Sequence, residues 1–185
     1  MVMATRSQRQ LTRCRWSCLW CRAMGFWGSF IVARADLPVT ELMALRSTGC
    51  VAVWWARDDR WQILQAHPGG DPDSSIVGET AAPVLVCHVV DSDFVTVQAA
   101  SPGGRSWQCA LSPAKARDYG FPEAWIGDPD EVAAQAMAWA REAGLDPDPA
   151  EVRAALVAEC DPQAEDLVFQ LARALGFRFD DGVEL

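Results

Sequence analysis

Histidine is scarce. His67 and His88 are the only two in 185 residues, which excludes a zinc site built on three imidazoles and leaves little for acid–base catalysis. Lysine is scarcer: Lys115 stands alone among sixteen Lys and Arg residues, so the Gly-Lys-Ser/Thr ending of a phosphate loop has no place beside Gly69 and Gly70. No apolar run approaches the roughly 20 residues that span a bilayer as a helix. Gly-x-Ser-x-Gly, the nucleophile elbow, is also missing, because Gly28-Ser29 has no trailing glycine. What the chain has in excess is acid. Its formal net charge is -9, and beyond Asp118 the only basic residues are Arg141, Arg153, Arg173 and Arg178. Such a surface repels phosphate backbones, which argues against nucleic acid and anionic membranes as partners. It favours solubility and leaves room for a basic protein partner or a cation.

The seven cysteines are odd in number. Cys50, Cys87, Cys109 and Cys160 lie in apolar runs or at a helix end, where a free thiol packs as a small hydrophobe, and a reducing cytoplasm suits them. Cys14, Cys18 and Cys21 give C-x3-C-x2-C, which resembles the cluster motif of radical S-adenosylmethionine enzymes and would imply a four-iron cluster on three thiolates. That family sets the motif after the first strand of a barrel. Here an arginine-rich leader precedes it and the pattern that follows is antiparallel, so no cofactor is assigned.

The leader, residues 1–23, carries Arg6, Arg9, Arg13, Arg15 and Arg22 and no acid. It reads as a non-structural or mis-annotated extension, with translation starting at Met24. The competing reading is a signal peptide with GFWGSFIV as its core and Ala33-Arg34-Ala35 as its cleavage site, but Arg22 and two glycines weaken it. From Met24 the text MGFWGSFIVARADLPVTEL resembles the opening of a group of short, uncharacterised actinobacterial-type proteins. The resemblance implies a strand and an Arg-x-Asp turn, and no activity.

Periodicity predicts an α+β fold: a mainly antiparallel sheet of about six strands, short connecting helices and a C-terminal group of three helices. Residues 24–126 form the sheet domain, and residues 127–185 an acidic helical segment packed on the same domain. Strands are expected at 26–33, 50–56, 61–66 and, as a three-stranded meander, within 83–111. Asp36 and Ser112 are expected to cap helices. Asp128-Pro129, Asp148-Pro149 and Asp161-Pro162 share one grammar, an acid at the N-cap and proline at the first helical position.

Chemistry is sparse. Cys87 and His88 are neighbours in a strand and point to opposite faces, so they form no thiolate–imidazole pair. His88, Asp91 and Asp93 make the most ligand-like cluster, a candidate metal or ligand site, although aspartates in a tight turn ordinarily bond their own backbone. Trp54, Trp55 and Trp107 fall in strands and are candidates for a groove, against the plainer reading that they fill the core. With no nucleophile, base and orienter together, no catalytic residue is assigned. The expectation is a non-catalytic, protein-binding or regulatory module, immunity-like or antitoxin-like. The alternative is a small enzyme or ligand-binding protein with a pocket near His88, Asp91 and Asp93.

Overall fold

The computed structural model describes residues 25–58, 60–67, 69–70, 72–179 and 183–184. Cys14, Cys18 and Cys21 lie outside the described residues. The strands are β1 (Gly28–Arg34), β2 (Val51–Asp58), β3 (Trp61–His67), β4 (Val84–Val90), β5 (Phe94–Ala100), β6 (Ser106–Leu111) and a two-residue β7 (Val183–Glu184). They build one antiparallel sheet in the order β6-β5-β4-β1-β3-β2-β7, so the α+β expectation holds. β1 and β4 read as apolar on both faces because they lie inside the sheet with both faces covered.

The helices are α1 (Met43–Thr48), α2 (Val77–Thr80), α3 (Pro113–Asp118), α4 (Glu123–Ile126), α5 (Pro129–Glu142), α6 (Pro149–Val157) and α7 (Glu165–Ala174). The last three cover one face. Trp139 of α5, Val152 and Leu156 of α6, and Val168 and Leu171 of α7 share a core with Phe30, Ile63, Leu85, Val97 and Trp107 of the sheet. Val39, Leu42, Leu45 and Ile76, from short helical segments, cover the other face over Ile31, Leu64, Val84 and Val86. Ala116 of α3 and Ile126 of α4 close the β5–β6 end over Phe94 and Ala110.

Asp128 and Asp148 cap α5 and α6 as expected, each Oδ1 accepting from two backbone N–H groups of the first turn. Either Asp→Ala should cost about 1 kcal/mol, read as a fall in urea midpoint at unchanged slope. The third Asp-Pro pair departs from the rule. The Asp161-Pro162 peptide is cis, and α7 begins three residues later, at Glu165, with no side-chain cap. Two further caps come from afar. Asp36 is an exposed partner of Arg60, and α1 is capped instead by Glu79, whose carboxylate accepts from Met43 N and Ala44 N. Ser112 has positive φ and donates to Glu159, which also accepts from Ala114 N at the start of α3. The reasons differ: Asp36 lies six residues before Leu42, the N-cap of α1, whereas Ser112 at positive φ is held out of the extended N-cap conformation and cannot turn its oxygen onto the first turn. Gly176, at φ +97°, ends α7 where a Cβ would stand 2.9 Å from the backbone of Asp146, so only glycine lets this turn approach the α5–α6 linker.

Candidate functional site

Strand register, rather than sequence proximity, decides which polar groups meet. His88 pairs with Ser29 of β1 on one side and with Thr96 of β5 on the other, so the three share a row across the sheet on the face of the short helices. Ser29 and Thr96 are buried. Ser29 Oγ and His88 Nδ1 lie 2.9 Å apart, within hydrogen-bonding distance. The field of His88 adds to the lowering of the Asp73 carboxyl, whose main cause is its bonds to Ser75.

Asp91 and Asp93 are not joined to this row. Both accept from the Tyr119 hydroxyl, at 3.2 and 2.7 Å, and Asp93 also faces Lys115 at 3.5 Å. The hydrogen bond to Asp93 is the largest cause of the upward shift of the Tyr119 phenol. Asp91 takes positive φ, which aspartate tolerates better than most residues, and the turn directs both carboxylates toward α3. His88, Asp91 and Asp93 therefore do not converge, and among the described residues no three His, Cys, Asp or Glu side chains are placed to hold a metal ion.

The tryptophans divide in the same way. Trp54 packs edge-on against Phe169 on the α5–α7 face, whereas Trp55 joins the opposite core and donates to Gln62. Trp107 is 4 % exposed and meets Trp139 edge-on. These three side chains do not form one groove, because alternation in β2 sends Trp54 and Trp55 to opposite faces. Trp107 does line a groove, of about 540 Å³, that wraps the outer edge of β6. Its other walls are Gln98 and Gln108, paired in register across β5 and β6, then Trp125 of α4 and Asp128, Glu131 and Gln135 at the start of α5. Trp125 stands edge-on to Phe121, which steadies its indole. Sequence reasoning passed over Trp125. The signal was the short text Pro122-Glu-Ala-Trp-Ile-Gly127, a proline-led helical turn closed by glycine at φ +76°.

Thiol chemistry has no footing in the core. Burial pushes the Cys87 thiol up to about 12 and raises that of Cys109 further, with the nearness of Cys87 as a second cause. Both then stay protonated and pack as apolar groups.

One carboxyl stands out. Glu165 Oε1 accepts from Ser92 Oγ at 2.7 Å, while Oε2 is buried without a hydrogen-bond partner. The same Ser92 Oγ accepts from Phe26 N, and Ser92 O accepts from Ala164 N, so this turn ties the entry of β1 to the start of α7. Burial raises the Glu165 pKa and Asp166 adds to it, against the lowering by Ser92 and the backbone. A folded value above the unfolded one means the native state holds the proton more tightly. Stability is then greatest below the ordinary glutamate range and falls as pH climbs from there through the raised value. Glu165→Gln keeps the acceptor for Ser92 and removes the charge; thermal melts across acid to neutral pH should show a higher Tm than the parent at neutral pH, and the two converging in acid.

The chain matches no known protein family, no curated protein and no solved structure.

Proposed function

We propose that the protein is a non-catalytic binding or regulatory module of the cytoplasm, immunity-like or antitoxin-like, that meets a basic protein partner through its acidic helical surface. One observation carries this reading. Between Asp128 and Asp166 every acid except Glu165 is exposed, and the only basic residues there are Arg141 and Arg153. Arg153 is already held by Asp130. A helical surface of this kind steers a cationic partner and penalises an anionic one. Affinity capture from the native host with the full chain tests it. The expected result is a stoichiometric complex with a basic protein that dissociates as salt is raised; no complex at low salt, or one indifferent to salt, would contradict it.

A second reading rests on the contact between Ser29 Oγ and His88 Nδ1. With His88 as base, Ser29 could act as a nucleophile in a small hydrolase, which replaces the metal-centred alternative at His88, Asp91 and Asp93. Ser29 is 3 % exposed, so a substrate would first have to open the face above it. Covalent labelling by a fluorophosphonate, mapped to Ser29 and lost in His88→Ala, would support this reading, and an unlabelled protein would remove it.

A further inference from the structure

The groove along β6 has a chemistry of its own. Asp128 and Glu131 supply two carboxylates at one end, and no basic residue is among its walls. Among the described residues neither carboxylate belongs to an ion pair, in contrast to Asp130 between them, which Arg153 neutralises at 2.6 Å. Asp128 spends Oδ1 on the α5 N-cap, and Glu131 is exposed. Gln135 follows Glu131 by one turn on α5, and the rest of the lining includes Trp125 of α4 and Gln98 and Gln108 of the sheet. Trp107, also in the lining, keeps its indole N–H buried with no acceptor among the described residues.

These features select among ligands. An anion would meet two uncompensated carboxylates and no cation, which excludes phosphates, sulfates and acidic peptides. A guanidinium suits the site in two ways: it pairs with a carboxylate through parallel N–H bonds, and its plane stacks on an indole face. Side-chain amides offer donors and acceptors to a peptide backbone. The volume, about 540 Å³, lies within the range of roughly 300–1,000 Å³ typical of ligand pockets and is suited to a short peptide segment. We infer that the groove between the β6 edge and the α4–α5 junction receives an arginine-bearing peptide segment, with the arginine at Asp128 and Glu131 and its plane against Trp125. This inference rests on the reading of the protein as a module for a basic partner and gives that partner an anchoring side chain.

The test is a titration of the isotope-labelled full chain with tetra-arginine, tetra-lysine, tetra-glutamate and cellotetraose, followed by amide and indole NMR shifts. Tetra-arginine should move the Trp125 indole and the side-chain amides of Gln98, Gln108 and Gln135, and should bind more tightly than tetra-lysine. Asp128→Asn combined with Glu131→Gln keeps a capping side chain and should weaken tetra-arginine about tenfold, the loss expected of a charge-assisted pair. Glu41→Gln combined with Asp58→Asn, two exposed acids outside both the groove lining and the acidic helical surface, should leave affinity within about twofold. Shifts scattered over the acidic surface, equal loss in both double variants, or binding of cellotetraose in place of tetra-arginine would overturn the proposal. The two readings fail separately. A salt-sensitive basic partner, captured equally well by the Asp128→Asn, Glu131→Gln protein, removes the groove and keeps the module; no basic partner at all, with tetra-arginine still in the groove, does the reverse.

Discussion

Replacing Trp139 with alanine should lower the unfolding free energy by about 3–5 kcal/mol, the range for deleting a large aromatic from a packed core. Trp139 is fully buried on α5, and its ring faces Trp107 of the sheet and Phe177 beyond α7. Its indole N–H donates to Ala100 O at 3.0 Å, so the residue joins the helical layer to the end of β5 by packing and by a hydrogen bond together. Trp139→Phe separates the two contributions. It keeps an aromatic ring but loses the donor and part of the volume, and should cost about 1–2 kcal/mol. Urea titrations followed by far-UV circular dichroism would measure both. A loss below about 1 kcal/mol for the alanine variant would mean that the helices are not docked on the sheet as described.

Gln62 is the second such point and is polar. It is fully buried in β3, and its amide makes four hydrogen bonds. Oε1 accepts from Val39 N and from the Trp55 indole, both at 3.0 Å, and Nε2 donates to Ala35 O and Leu37 O at 2.9 and 2.8 Å. One side chain thus satisfies the backbone of the turn between β1 and α1 and holds Trp55 against it. Gln62→Leu is near in size but strands the partners of all four bonds, and should cost about 3–5 kcal/mol. Gln62→Glu keeps both accepted bonds but sets a carboxylate against two carbonyls. Its loss should be largest at neutral pH and smaller in acid, where a protonated carboxyl can donate one of them. Thermal melts of the two variants across pH would show a flat penalty for leucine and a pH-dependent one for glutamate.

The strands and the three C-terminal helices were legible because their signals are local. Alternation marks β4 and β5, and Asp-Pro followed by an apolar stripe marks α5 and α6. Register and long-range partners were not legible. Ser29 and His88 are 59 positions apart and meet only because β1 lies between β3 and β4. Gln62 carries no local sign of its four bonds, because their partners lie at positions 35, 37, 39 and 55. Asp91 and Asp93 looked like ligands beside His88 because sequence distance hides the turn that sends them to Tyr119. Caps misled where a distant carboxylate served better, as Glu79 and Glu159 do for α1 and α3.

We propose that the acidic helical surface and the groove at its border together hold a basic partner. The most direct measurement is the dissociation constant of the purified complex with the captured protein, at low and at high salt, for the parent and for the Asp128→Asn, Glu131→Gln variant. Tight binding that weakens steeply with salt in the parent, and a weaker, shallower dependence in the variant, is the predicted result. Identical affinity and identical salt dependence in the two proteins would contradict it.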